Sequence, residues 1–215
     1  MADCCRPPRG YEKLFGRRAA RRDAKRYRRK GLDETAERIV EFLRARGVTG
    51  LRILEIGGGV GAIGVELVKA GAEHAVDVEL SPDYEDAARD LWRETGIADR
   101  IDFRVDDVAA DGGGIGPADA VVMHRVVCCY PDPDALVGAA ADHARRYLVM
   151  SFPRERLFIR VGLVAINVVA RLLRWEYRSY VHPVDEILAP ARRRWFTSAF
   201  ERSGAVWQVA ALERA

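Results

Sequence analysis

The chain has 215 residues, 49% of them apolar, and a formal net charge of +3. That length suits one domain with a full core, and that apolar content excludes a chain disordered throughout. The small net charge is unevenly placed, because residues 6 to 30 carry twelve lysines and arginines against Glu12 and Asp23.

Residues 1 to 10 read as a loose tail, since Pro7-Pro8 and Gly10 oppose regular structure. No apolar segment of a signal peptide is visible there. Cysteines occur as two adjacent pairs, Cys4-Cys5 and Cys128-Cys129. Adjacent cysteines rarely bridge each other, so a reducing cytoplasm is the expected location. Residues 11 to 30 read as one or two basic helices anchored by Tyr11, Phe15 and Tyr27. Such a charge run is by default a solvated face. The sharper readings are a helical flap over an active site, or a phosphate-contacting patch for nucleic acid. We therefore divide the chain into a basic arm, 1–32, and a main domain, 33–215. Gly31 ends the arm, and Asp33 is placed to cap a helix over 34–46 with Ala36, Ile39, Val40 and Leu43 on one face.

Next comes the apolar run Ile53-Leu54-Glu55-Ile56, entering Gly57-Gly58-Gly59-Val60-Gly61, then apolar residues at helical spacing to about 70. This pattern is a buried strand, a tight turn and a helix, the opening of a βαβ unit. Glycines there admit unusual backbone angles and let the main chain approach a ligand at a helix start. A second strand over 73–79 ends in Glu79, placed where a ribose diol is gripped in such folds. A helix follows from Pro82 to about 95, then a strand over 100–105 ending at Asp106-Asp107. A glycine-rich loop, 111–116, leads to a strand over 118–123. His124-Arg125 and Cys128-Cys129-Tyr130 follow it. A helix over about 133–145 and a strand over 147–152 bring the count to five strands alternating with helices over short joins, which implies a parallel, doubly wound α/β sheet.

Residues 155 to 175 hold the most apolar stretch, Val161 to Ala170 between Arg160 and Arg171. It is too short to cross a bilayer. Core packing is the expectation, with a lid over a greasy substrate, a homodimer face or a membrane-surface contact as alternatives. His182-Pro183 opens a short helix over 184–193. Two strands over 195–201 and 205–212, joined at Ser203-Gly204, form a terminal hairpin.

The glycine cluster alone allows two readings. Gly59-x-Gly61-x-x-Gly64 satisfies a dinucleotide fingerprint. Glu55-x-Gly57-x-Gly59-x-Gly61 instead resembles motif I of the class I S-adenosylmethionine (SAM) methyltransferases. The hairpin after five parallel strands favours the second, since little chain remains for a dehydrogenase's catalytic domain. Val78-Glu79-Leu80-Ser81-Pro82, Phe103-Arg104-Val105-Asp106-Asp107 and Ala118-Asp119-Ala120-Val121-Val122 resemble motifs II to IV in order. The second half, with Ser151-Phe152-Pro153-Arg154 opening the apolar helix, is faintly similar to the magnesium-protoporphyrin O-methyltransferase branch.

The resemblance implies a Rossmann-like, mostly parallel seven-stranded sheet with an antiparallel C-terminal strand. It implies SAM as cofactor and S-adenosylhomocysteine as product. Gly57, Gly59 and Gly61 then pass under the methionine part, with Glu55 bracing the turn or the amino group. Glu79 accepts from the ribose, with Leu80 beside it, and Asp107 from the adenine amino group, with Val108 adjacent. His124 and Arg125 line the transfer centre, His124 as a candidate base and Arg125 as a holder of an acidic group. Tyr130 and His182 are candidate substrate contacts. The cysteines with His124 or His143 also offer soft ligands for zinc, but adjacent thiols diverge, and no metal is assigned. The expected activity is methylation of a small apolar or aromatic acceptor at oxygen or nitrogen, with no obligate nucleic acid and no transmembrane segment. The competing class is an RNA methyltransferase or a SAM-binding protein acting through the basic arm.

Overall fold

A computed structural model describes residues 11–110 and 114–215. The tail with Cys4-Cys5 and the first half of the glycine-rich loop lie outside those residues. The arm forms a short helix α1 (Tyr11–Leu14) and a long one, α2 (Arg17–Lys30). Gly31, at φ 69°, stops α2. Asp33 caps α3 (Glu34–Ala45) by accepting from the Thr35 and Ala36 amides at 3.0 and 3.1 Å. Those two donors have no partner within the helix, so the cap satisfies them.

Strands and helices then alternate: β1 (Arg52–Ile56), α4 (Ala62–Lys69), β2 (His74–Glu79), α5 (Glu85–Glu94), β3 (Ile101–Val105), β4 (Ala118–His124), α6 (Pro133–His143) and β5 (Ala144–Pro153). After them come α7 (Leu157–Leu172), α8 (Val184–Arg192), β6 (Phe196–Ser203) and β7 (Trp207–Arg214). The sheet order is β3-β2-β1-β4-β5-β7-β6. The first five strands are parallel to their neighbours, and β7 runs antiparallel between β5 and β6. The expected seven-stranded sheet and inserted terminal strand are both present. The hairpin turn lies at 204–206, one residue later than its glycine suggested.

Strand periodicity builds the layers. Ile53, Ala120, Val122, Tyr147 and Val149 face one core, against α2 to α5. Leu54, Val121, Met123, Leu148 and Met150 face the other, against α6 and α8. The central strands β1, β4 and β5 thus bury both faces, as a parallel sheet covered by helices requires. The arm helix α2 belongs to this packing: Ala19, Ala20, Ala24 and Tyr27 are buried in the first core, while its arginines stay exposed. Arg17 pairs with Asp83 and Arg28 with Glu94, so some of its charge is neutralised against the domain.

One expectation is overturned. The apolar helix does not fill the core. Only Ile159 and Ala170 of α7 are buried, while Leu157, Phe158, Val161, Val164 and Leu172 are well exposed. The sheet face it was expected to cover is already sealed by α6 and α8.

Leu43 is fully buried in the first core. Leu43→Ala should lower unfolding stability by about 2–5 kcal/mol, read as a reduced urea midpoint at unchanged slope.

Candidate active site

The sheet reverses its winding between β1 and β4, and the crevice at the carboxyl ends of these strands is where such folds bind ligands. Their register pairs Ile56 with Met123, so the glycine turn after β1 and His124 at the end of β4 stand side by side. A cavity of ≈ 480 Å³ opens there. Its walls include Glu55, Gly57, Gly59, Glu79, His124 and Arg125 from the sheet edge, with Tyr11, Phe15, Arg26 and Asp33 from the arm and the junction behind it.

The turn is glycine by necessity. Gly57, Gly59 and Gly61 have φ of 65°, 63° and 67°, where side chains are strained. Space forbids them too: a Cβ on Gly58 would stand 2.5 Å from Asp77 Oδ1, and one on Gly57 2.6 Å from Val126. Trp92 braces the turn from behind by donating to the Val60 carbonyl at 3.0 Å.

Three carboxylates surround this turn. Glu55 is buried and accepts from the Gly64 amide at 2.7 Å, so it braces the helix start. Burial pushes it up to about 7, opposed in part by that amide. Asp77 is fully buried, and neither carboxylate oxygen has a hydrogen-bond partner among the described residues. Burial raises it well above its ordinary value, and the charges of Glu55 and Glu79 add to this. Glu79 accepts from the Gly59 amide at 3.2 Å, the Ser81 amide at 3.1 Å and the Tyr11 hydroxyl at 3.2 Å. Burial raises it despite those donors.

The other wall is cationic and tied to the arm junction. Asp33 Oδ2 lies 3.3 Å from His124 Nε2, 3.2 Å from an Arg125 terminal nitrogen and 3.8 Å from one of Arg26. Burial alone would raise the Asp33 carboxyl. The hydrogen bond and charge of His124, with Arg125, outweigh it and hold Asp33 well below the usual carboxylate range. An ionised carboxylate only accepts, so neutral His124 carries its proton on Nε2 and donates it to Asp33. His124 Nδ1 then accepts from the Ser151 hydroxyl at 2.9 Å. Burial lowers the His124 pKa, against the pull of Asp33. Arg125 has φ 62°, a strained angle for a side-chain residue, and lays its guanidinium 4.7 Å from the Trp207 ring. Its Nε is buried with no acceptor among the described residues.

Other expected site residues lie apart from the cavity lining. Asp107 accepts from the Tyr130 hydroxyl at 3.2 Å, and Asp106 turns back to accept from the Asp107 amide at 2.8 Å. Val108 is buried in the second core. Leu80 is partly buried beside Glu79 and is absent from the lining. Gly61 shapes the turn without reaching the cavity wall. His182 donates from Nε2 to the Tyr130 carbonyl at 2.9 Å and stacks on Tyr180, so it holds a loop. Cys128 and Cys129 have their sulfurs 3.7 Å apart, and Cys129, on the cavity wall, accepts from the Tyr177 hydroxyl at 3.2 Å.

Sequence reasoning missed Tyr11, Asp33, Asp77 and Ser151 as site residues. Asp77 had a signal, an acid inside an otherwise apolar strand. Asp33 had none, since its partner His124 is 91 positions away.

A family model described as a methyltransferase domain matches residues 25–207. The chain belongs to this methyltransferase family. Its fold is that of magnesium protoporphyrin IX methyltransferase from Synechocystis PCC 6803, solved with bound SAH. That similarity covers 85% of this chain and 82% of that one, with a TM-score of 0.70 and 23% identity. An O-methyltransferase family protein from Burkholderia thailandensis is similar over 94% of this chain and 64% of its own, with a TM-score of 0.67 and 16% identity. The ribosomal protein L11 methyltransferase of Marinobacter nauticus is 33% identical over 74 residues, or 34% of this chain. The match spans 25% of that curated relative's length. Family and fold together make this a class I SAM-dependent methyltransferase.

The acid cluster gives the methyltransferase a distinctive pH response. Glu55, Asp77 and Glu79 hold protons more tightly folded than unfolded. The folded state thus binds more protons between the ordinary Glu55 value of 4.5 and its raised value of about 7, and stability falls as pH rises through that window. His124, with its lowered pKa, acts oppositely, and only below its ordinary 6.5. Between pH 6.5 and 8 the ligand-free melting temperature should therefore fall, and Glu55→Gln should flatten that fall. An unchanged slope in the variant would assign the effect elsewhere.

Proposed function

We propose that this methyltransferase transfers the SAM methyl group to a carboxylate oxygen of a small acceptor with an apolar or aromatic body. The observation that carries the acceptor reading is the buried Arg125 Nε at the cavity wall, a donor without an acceptor, beside Arg26 and a histidine committed at both nitrogens.

The cavity suits the cofactor on its own chemistry. Two of its acids, Glu55 and Glu79, line it, a third lies under the turn, and among the described residues no cation pairs with any of the three. SAM carries a sulfonium and an ammonium, which such a cluster would favour. Gly57 and Gly59 allow close approach, and Glu79 has lone pairs for ribose hydroxyls beyond the donors it already holds. Asp107 and Val108 are our candidates for the adenine end, with Leu80 beside them. When bound, SAM supplies a sulfonium methyl open to in-line displacement.

The protein's part is to position and to exclude water. Arg125, its guanidinium 4.7 Å from the Trp207 ring and one terminal nitrogen on Asp33, keeps donors that an acidic group could take. His124 has its basic nitrogen capped by Ser151 and its Nε2–H given to Asp33, so it removes no proton from the acceptor. A nucleophile already ionised at neutral pH needs no base, which selects a carboxylic acid over a phenol or an ammonium. Tyr11 and Phe15, with rings 4.4 Å apart, supply an aromatic wall for the acceptor's body.

Labelled SAM should give a product from aromatic or long-chain carboxylic acids whose label is released as methanol by mild alkali. Arg125→Lys should raise KM at least tenfold with a smaller change in kcat. His124→Gln should cost less than about tenfold, far short of the 10²–10⁴ expected for a lost general base. The rate should be flat from pH 7 to 9. Alkali-stable label on phenols or amines, with a rate climbing over that range, would overturn the carboxylate reading.

A further inference from the structure

The outward face of α7 is apolar, the reverse of a solvated helix. At 100° per residue, Leu157, Phe158, Val161, Val164, Val168 and Leu172 fall within one third of the circumference or just beyond it, each 52–77% exposed. The inward face is narrow: Ile159 and Ala170 are buried, with Leu163 and Asn167 partly so. Asn167 docks this face by donating to the Ser179 carbonyl at 2.7 Å and accepting from its amide at 2.8 Å.

Charge decides what covers the outward face. Arg156, Arg160, Arg171 and Arg174 bracket it, and no acid occurs between residues 156 and 175. All four are exposed, with Arg160 and Arg171 on the same flank of the stripe. A second copy is a poor match. An antiparallel pairing centred between Ala165 and Ile166 sets Arg160 of one copy against Arg171 of the other, and a parallel pairing sets each arginine against itself. An anionic bilayer surface matches on both counts, taking apolar side chains between acyl chains and arginines among headgroups. The 16-residue helix is about 24 Å long, and no described helix is long and apolar enough to cross a membrane. Lying in the interface plane is what its length and pattern allow.

We propose that α7 is an in-plane anchor that docks the enzyme on anionic lipid surfaces. The arm extends the same charge. Tyr177, just past α7, packs against Tyr11 and Phe15 with centroids 6.2 and 5.8 Å apart, which joins the helix to the exposed arginines of α2 and to the cavity wall. Docking therefore sets the cavity close to the membrane surface, from which an apolar acceptor would be drawn.

The test is flotation of the full chain with vesicles of phosphatidylcholine alone or mixed with phosphatidylglycerol. Binding should be at least tenfold stronger to the mixed vesicles and should weaken with salt. Val161→Asp with Val168→Asp, both on the exposed face, should abolish flotation while melting temperature and SAM binding by calorimetry stay unchanged. Arg160→Gln with Arg171→Gln, which leaves the apolar stripe intact, should cut the preference for mixed vesicles at least tenfold. Absence of wild-type flotation with mixed vesicles overturns the proposal. So does flotation that survives the aspartates, or a dimer by sedimentation that the aspartates dissolve without any vesicle binding.

Discussion

The structure turns on a crowded junction. Between β1 and α4 the main chain crosses so close to Glu55, Asp77 and Trp92 that no side chain fits at Gly58 or Gly61. Buried carboxylates are costly unless paired; here Glu55 and Glu79 are held mostly by amides, and Asp77 has no hydrogen-bond partner among the described residues. A fold that keeps such a cluster has given up stability of the ligand-free state. Binding a cationic ligand would recover it, since a ligand that binds only the folded chain stabilises it by mass action. The raised pKa values and the crowded glycines both follow from packing the main chain against buried acids.

The second wall answers the first with opposite charge. Asp33 is both the cap of α3 and the anion that holds His124, Arg125 and, more distantly, Arg26. That dual role couples the end of the arm to the cavity wall. The arm cannot shift far without breaking the cap's ion pairs or the Tyr11 bond to Glu79. Over residues 17–30 its basic run is therefore not a simple solvated face. One side is alanine and tyrosine against the core, and the other is arginine facing outward.

Most of the fold was legible because it is written in local signals. The period-two strands, the glycine turn, Asp33 before α3 and Gly31 after α2 each act within a few residues. Their sum predicted the parallel strands and the terminal hairpin; the inserted last strand was implied by the family resemblance. The cavity was legible only in part. Glu55, Gly57, Gly59, Glu79, His124 and Arg125 lie at strand ends, where topology alone gathers them. The tautomer of His124 was not legible, because it is set by Asp33 and Ser151, each far away in sequence. Asp107 was placed near the ligand by motif position and Tyr130 only as a candidate substrate contact; the structure pairs the two with each other.

The apolar helix shows where composition misleads. Hydrophobic content tells that a segment avoids water, not which neighbour replaces it. Here α6 and α8 already cover the sheet face, so α7 is surplus to the core, and its arginines mark the kind of surface left to it. The same reasoning bears on the acceptor. An acid with a greasy body partitions to the membrane interface, body in the acyl region and carboxylate at the headgroups. On the two proposals made above, Arg125 on the cavity wall would take the carboxylate, and the outward face of α7 would rest on the membrane that holds the apolar body. Chemistry at the site and adhesion at the surface would then answer to one amphiphilic molecule.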